Sequence, residues 1–169
     1  SRELRAYMGI GITGAHATLH DPEQFDYLFI EGRGGALLID EEGLAASFAA
    51  LRHRRAHVGF VGHTHLPVVF ADDGTIIRLN FGALHELSVS HYNRTLIACV
   101  GAVGQARGTV ESAASGQSVN DAYRACYVIV DDTFITFRRV DYEVAATAAK
   151  ITANPHLPDY LGERLLRGE

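Results

Sequence analysis

The chain is poor in several residue types that would mark particular classes of protein: it has no tryptophan, one methionine, two cysteines and four prolines. Cys99 and Cys126 lie far apart in the sequence without CxxC or Cys/His spacing, so we expect two small buried side chains rather than a disulfide. No apolar run approaches the roughly 18 to 20 residues that a membrane-spanning helix needs, and no signal peptide is recognisable. We therefore expect a cytoplasmic protein without membrane contact.

Positive charge is also scarce. The 15 Lys and Arg residues are outnumbered by 20 Asp and Glu residues, which gives a net charge of −5, and the cations are scattered. This distribution lacks the electrostatic footprint that the nucleic-acid backbone requires, so we expect no nonspecific nucleic-acid binding. With 169 residues and 47% hydrophobic content, residues 1–169 are expected to form a single domain with a sizeable core.

A glycine-rich stretch near the start, Gly9-Ile10-Gly11-Ile12-Thr13-Gly14, matches the letters of the GxGxxG dinucleotide-binding fingerprint. That fingerprint requires a strand before it and a long helix opening at its end. Here Pro22 follows too soon for such a helix, and no βαβ unit surrounds the glycines. The pattern indicates a glycine-rich loop that enters a short strand.

The most informative stretch combines a short apolar strand with two histidines. Residues 58–61 are mostly apolar and bounded by Gly62, and His63 and His65 follow one residue apart before Pro67. In an extended segment, residues i and i+2 point to the same side, so both imidazoles could face one space. Gly62 would allow a sharp turn and Pro67 would end it. This arrangement is typical of a metal-binding corner.

Helix and strand patterns cover most of the remaining chain. Asp40 can cap a helix over about 41–55, in which Leu44, Phe48 and Leu51 recur on one face. Asp72-Asp73-Gly74 predicts a tight hairpin. We also expect strands near 86–92, 95–100, 125–130 and 134–140, helices near 143–153 and 159–167, a mobile loop at 109–121, and an aromatic segment at 25–29 that could be helical and would line the core or a cleft. These elements predict an antiparallel sheet with helices packed on it.

Gly62-His63-Thr64-His65 after an apolar strand resembles the last metal-binding motif of the calcineurin-like metallophosphoesterases, especially the small bacterial and archaeal phosphoesterases. Residues 14–22, with His16 and Pro22, are similar to the preceding family motif, in which a strand ends in a metal-ligand histidine and a proline-containing turn. Segments 101–107 and 124–127 resemble the following loop and strand. The motifs occur in the family's order over most of the chain.

This resemblance implies an α/β (α+β) fold, the four-layer α-β-β-α sandwich of the family, of which the chain would be the C-terminal portion with a mostly antiparallel sheet. It also implies that His16 and His63 bind one ion, and His65 the other, of a dinuclear metal centre. Imidazole suits Mn, Fe, Zn or Ni, so the identity of the two divalent ions is left open. His20 is unassigned, and no catalytic residue is assigned.

The implied activity is that of a phosphodiesterase or phosphatase on a small-molecule phosphoester or nucleotide, in which two metal ions activate a water as hydroxide. Three imidazoles do not complete such a centre. The Asp-x-His, Gly-Asp and Gly-Asn-His motifs that carry the family's other ligands do not occur in the sequence. We therefore expect the chain to lack the N-terminal half of the family fold, and to expose a strand edge and an apolar face when alone.

Several alternatives stay open. Cys99-Val100-Gly101-Ala102 stands where the family usually has Asn-Pro-Gly-Ser, so substrate preference does not transfer, and Arg107 could contact a phosphate or form a surface salt bridge. The chain could be a noncatalytic remnant or a regulatory metal-binding module. It could also be a mononuclear zinc hydrolase that uses the three histidines and a water. Self-association into a homo-oligomer is left open.

Overall fold

The computed structural model describes residues 11–32, 36–79, 86–105 and 124–167. Within these ranges the chain forms ten strands and three helices. In chain order they are β1 (Ile12–Gly14), β2 (Phe29–Glu31), β3 (Leu37–Ile39), α1 (Glu41–His53), β4 (Val58–Val61), β5 (Pro67–Ala71), β6 (Ile76–Arg78), β7 (Glu86–Ser90), β8 (Leu96–Val100), β9 (Ala125–Val130), β10 (Phe134–Val140), α2 (Val144–Thr152) and α3 (Tyr160–Arg167). The predictions for Arg107, for the loop at 109–121 and for the start of the glycine-rich stretch lie outside the described residues.

Helix α1 forms where the capping and periodicity signals predict it. The side chain of Asp40 accepts a hydrogen bond from the backbone N–H of Gly43 at 3.1 Å, which satisfies one of the free amides of the first turn. Phe48 and Leu51 are buried on the face that the sequence pattern indicates. The basic residues of the last turn complement the helix dipole, and the helix ends at His53, slightly before the predicted end.

The main sheet has five strands in the order β1-β4-β8-β5-β6. Strand β4 runs parallel to both of its neighbours, whereas β5 is antiparallel to β8 and β6. The predicted hairpin joins β5 to β6, and Gly74 adopts a φ of 86° in its turn. A conformation with positive φ carries little steric cost for glycine, which explains why a glycine occupies this position of the turn. Because β4 is paired on both edges and contributes side chains to a core on each side of the sheet, its sequence is apolar on both faces.

The remaining strands form a three-stranded antiparallel sheet, β7-β10-β9, and a two-stranded antiparallel sheet, β2-β3. The expected mostly antiparallel α+β architecture is therefore confirmed. The prediction of a helical segment at 25–29 is wrong, since residues 25–27 lack regular structure and Phe29 begins β2. The buried aromatic ring of Phe29 packs against Phe70 of β5, and this tertiary contact favours the strand.

Side chains alternate across the five-stranded sheet and separate the interior into two cores. On one face Val68 and Phe70 join Leu51 of α1. On the other face Val69 joins Phe137 of β10. The order is thus helix, sheet, sheet, which corresponds to three of the four expected α-β-β-α layers. Helices α2 and α3 pack on each other, and no helix within the described ranges has the length and apolar character needed to cross a membrane.

Candidate metal centre

Two parallel strands bring the predicted ligand segments together. His16 follows β1, and His63 and His65 follow β4, so all three histidines lie beyond the carboxyl ends of adjacent parallel strands. The pairing continues past the strands, because the backbone N–H of Gly62 donates to the carbonyl oxygen of His16 at 2.8 Å. The loops that carry His16 and His63 are therefore held side by side by main-chain hydrogen bonds.

The imidazoles of His16 and His63 are in contact. Nε2 of His16 lies 3.2 Å from Nδ1 of His63, and the ring centroids are 5.1 Å apart. Tyr27 stacks near His63 with a centroid separation of 4.2 Å, and the largely exposed ring of Phe25 lies 5.7 Å from His16 and 5.8 Å from His63. The two aromatic rings therefore lie beside the histidine pair, and both are partly exposed.

His65 is oriented by a different contact. Its Nδ1 lies 2.8 Å from the main-chain carbonyl oxygen of Gln105, in the loop after β8. A carbonyl oxygen can only accept, so Nδ1 donates its N–H there. The neutral tautomer with a hydrogen on Nδ1 carries its lone pair on Nε2, which is the form that a metal ion requires. The bond to Gln105 thus selects a metal-binding tautomer of His65.

The local backbone differs from the extended geometry that the sequence suggested. His63 and His65 have φ values of 60° and 63°, in the left-handed region that side-chain-bearing residues rarely adopt. The backbone N–H of Thr64 donates to the carbonyl oxygen of Gly62 at 2.7 Å, the pattern of a rare γ-turn centred on His63. The histidines make the sharp turn that was assigned to Gly62. The expected i, i+2 extended pairing is therefore wrong.

Gly62 has another role in this corner. It does not have a positive φ, and a Cβ at this position would lie 3.3 Å from the carbonyl oxygen of His16. The absence of a side chain permits the close approach of the two loops. Sequence reasoning identified the glycine but not this reason, because the approach depends on the pairing of β1 with β4.

A buried thiol lies beneath the turn, and sequence reasoning did not connect it with the site. Sγ of Cys99 is 2.8 Å from Oγ1 of Thr64 and 3.4 Å from the carbonyl oxygen of Gly62. Burial raises the pKa of the Cys99 thiol above its ordinary value, which keeps the group protonated at neutral pH. Cys99 and Cys126 are both buried and free, as predicted. Only the tertiary pairing of β8 with β4 and β5 brings Cys99 to the turn.

His20 lies outside the histidine pair. Its Nδ1 is 3.0 Å from Oγ of Ser47, on helix α1. The guanidinium of Arg54 donates to the carbonyl oxygen of Leu19 at 2.8 Å, so the end of α1 anchors the segment that follows His16. Arg54 therefore has a structural role.

Known proteins resemble this chain in structure and in sequence. A crystal structure of a metallophosphoesterase from Sphaerobacter thermophilus matches 92% of the chain with a TM-score of 0.66 and 26% sequence identity. This match supports the resemblance to the calcineurin-like metallophosphoesterase superfamily. An uncharacterised protein of Methanocaldococcus jannaschii is 32% identical over 64% of the chain. No family model matches the sequence. The chain spans 55% of the Sphaerobacter chain and 38% of the Methanocaldococcus protein, so it corresponds to part of each.

The geometry of the histidine pair can be compared with what metallophosphoesterase metals require. Two nitrogens about 2.0–2.1 Å from one ion are about 2.9–3.4 Å apart for N–metal–N angles between about 90° and 109°. The 3.2 Å separation between His16 and His63 falls in this range. Within the described residues, however, no group of three His, Cys, Asp or Glu side chains is placed to hold an ion. The pair fits one edge of a coordination shell, and the rest of that shell requires other ligands.

Proposed function

We propose that this chain supplies the imidazole ligands of a dinuclear metal centre in a phosphoesterase. The separation of 3.2 Å between Nε2 of His16 and Nδ1 of His63 is the observation that carries the proposal. His16 and His63 would hold one divalent ion, and His65 would hold the second through Nε2. Mn, Fe, Zn and Ni all accept such ligands.

The reaction in this proposal is the hydrolysis of phosphate esters. The chemistry that divalent ions supply at such a centre is activation of water and neutralisation of charge on the phosphoryl oxygens. The contribution of this chain is to present imidazole lone pairs in fixed directions. The carbonyl oxygen of Gln105 holds the proton on Nδ1 of His65, and the rings of Phe25 and Tyr27 limit access on one side of His16 and His63.

The proposed substrate is a small-molecule phosphoester or a nucleotide, and the proposed location is the cytoplasm. The net charge of −5 and the scattered cations support a small substrate over nonspecific binding of a nucleic-acid polymer. The ligands that a dinuclear centre requires beyond three imidazoles would come from residues outside these 169, as in the family motifs that carry carboxylate and amide ligands.

Metal binding gives the first test. Equilibrium dialysis of the chain against Mn²⁺ should show at least one bound ion. His16→Ala and His63→Ala should each lower the affinity about 10-fold or more, because each removes a direct ligand. His156→Ala is a matched control, since this histidine lies in an exposed turn between α2 and α3. Mn²⁺ affinity that is the same in His63→Ala and the control would contradict the assignment.

Hydrolysis gives the second test and requires the full-length product that contains this sequence. We expect turnover of a generic phosphodiester, such as bis(p-nitrophenyl) phosphate, with two ions per chain. His65→Ala should abolish turnover and leave the content of the first ion largely intact, because His63 and His16 remain. A His65→Ala protein with normal turnover and two ions would refute the dinuclear role of His65.

A noncatalytic metal-binding module is the second candidate. It is favoured by one observation, that the described residues contain no group of three potential ligands. Both candidates predict that His63→Ala weakens metal binding. They differ in the full-length product, where the module would bind Mn²⁺ without hydrolysing a phosphodiester.

A further inference from the structure

The turn that carries His63 and His65 has two residues in an uncommon backbone conformation. Both have a positive φ, at 60° and 63°. A side-chain-bearing residue keeps such a conformation only where the surrounding structure over-determines it. The contacts that hold this turn are therefore expected to set the directions of both imidazoles.

Three hydrogen-bonding groups meet beneath the turn. The carbonyl oxygen of Gly62 lies 3.3 Å from Oγ1 of Thr64 and 3.4 Å from Sγ of Cys99, and these two side-chain atoms are 2.8 Å apart. The hydroxyl and the thiol carry one hydrogen each. Either the hydroxyl donates to the carbonyl and the thiol to the hydroxyl, or the hydroxyl donates to the thiol and the thiol to the carbonyl. In both arrangements each hydrogen is used.

The position of Cys99 in the sheet explains why its thiol reaches this point. Cys99 is the register partner of Val61 in β4 and of Val68 in β5. It therefore lies across the base of the segment that leaves β4, turns at the histidines and enters β5. Thr64 is 5% exposed and Cys99 is fully buried. Water cannot readily replace a hydrogen bond that is lost here.

We propose that Cys99 and Thr64 are positioning residues, whose hydrogen bonds to each other and to Gly62 hold the strained turn and so direct His63 towards His16 and His65 towards Gln105. This inference rests on the proposed metal centre. Neither residue is a ligand in it. The thiol and the hydroxyl act on the metal only through the backbone that carries the two histidines.

The test compares variants of the chain that delete or keep the hydrogen-bonding groups. Cys99→Ala and Thr64→Val delete the thiol and the hydroxyl, and Cys99→Ser and Thr64→Ser keep a donor at each position. Cys126→Ala is the matched control, because it removes a second buried free thiol that packs on Gly101 and has no contact with Thr64 among the described contacts.

Two readouts separate this inference from the proposed function. The first is made on the metal-free chain by NMR. It measures the hydrogen-exchange rate of the Thr64 amide relative to that of a core amide such as Ile97, and it records the imidazole signals of His63 and His65. The second is the affinity for Mn²⁺, followed by electron paramagnetic resonance. We expect Cys99→Ala and Thr64→Val to accelerate the relative exchange about 10-fold or more, because a buried hydrogen-bonding partner is left unsatisfied. Mn²⁺ binding should weaken about 10-fold, the size of effect that loss of an outer-shell contact has.

The serine variants should change both readouts less than the alanine and valine variants do, since they keep a donor. Cys126→Ala should change neither. Equal effects of Cys99→Ala and Cys126→Ala on Thr64 exchange would overturn the positioning role and leave only a packing role. A full-length product that binds no Mn²⁺ would refute the proposed metal centre, whereas the metal-free exchange and imidazole signals would still decide whether Cys99 holds the turn.

Discussion

A glycine in β4, the second strand of the main sheet, sets the distance between that sheet and helix α1. Gly59 is buried in β4, on the face that packs against Leu51 of α1 and against Leu19, three residues after His16. A Cβ at this position would lie 2.9 Å from Cδ2 of Leu51 and closer still to Cδ1 of Leu19. Ordinary carbon–carbon contacts are about 3.5–4.0 Å. Gly59→Ala therefore requires both leucines to move.

The expected cost follows from these contacts. Overpacking of a well-packed core costs about 1–3 kcal/mol. Alanine also lowers the entropy of the unfolded chain, which offsets about 0.4–1 kcal/mol of that cost. We expect Gly59→Ala to lower the free energy of unfolding by about 1–2 kcal/mol, and Tm by about 2–8 °C for a chain of this size. Because Leu19 must shift, the segment that carries His16 should shift as well.

Urea denaturation followed by far-UV circular dichroism measures the stability, and the imidazole NMR signal of His16 reports on the site. Gly104→Ala is the matched control, since a Cβ there would meet nothing within 4 Å and φ is not positive. Adding Leu19→Val to Gly59→Ala shortens the side chain that lies nearest to the new Cβ. The double variant should therefore lose less unfolding free energy than the sum of the losses in the two single variants. Surface substitutions usually change the free energy of unfolding by less than about 0.5 kcal/mol. If the unfolding free energies of Gly59→Ala and the control differed by less than this, the packing argument would be refuted.

Three further substitutions address other parts of the fold. Asp40→Ala removes the N-cap of α1 and should lower the free energy of unfolding by about 1 kcal/mol, with a smaller loss for Asp40→Asn, as measured by urea denaturation. Gly162→Ala places a Cβ 2.8 Å from the carbonyl oxygen of Ala148, so α2 and α3 should separate and their amides should exchange faster. The carboxylate of Asp131 accepts two backbone N–H bonds in the β9–β10 turn, which lower its pKa. The stabilising contribution of Asp131 is therefore fully present above the ordinary carboxyl pKa of about 4, and it is lost as the pH falls through the lower pKa of the folded state. Asp131→Asn should therefore reduce the slope of the stability-versus-pH curve at acid pH.

Each of these expectations has a clear contrary result. Equal stability of Asp40→Ala and Asp40→Asn would mean that the cap bond has no role beyond helix propensity. Unchanged exchange in α2 and α3 of Gly162→Ala would mean that the helices adjust without separating. An acid limb of Asp131→Asn with the wild-type slope would mean that other carboxyl groups account for the pH dependence.

Most of the secondary structure could be predicted because its signals are local. Helix α1 is specified by a cap and by apolar spacing, the β5–β6 hairpin by Asp72-Asp73-Gly74, and β4 by an apolar run bounded by turn residues. The error at 25–29 has a non-local cause, since Phe29 is drawn into β2 by its contact with Phe70, which is far along the chain. Local propensity does not contain that contact.

For the candidate site, the sequence by itself determined which residues could bind metal. It also showed that their motifs follow one another in the order typical of the family they resemble. His16, His63 and His65 remain predicted ligands. What only the tertiary structure decided is their arrangement: the parallel pairing of β1 with β4 brings His16 to 3.2 Å from His63. The positive φ at both motif histidines and the thiol of Cys99 beneath them also depend on neighbouring strands. These features escape sequence reasoning because a strained backbone is held by contacts between distant residues, and a local pattern records only the intrinsic preference of each residue.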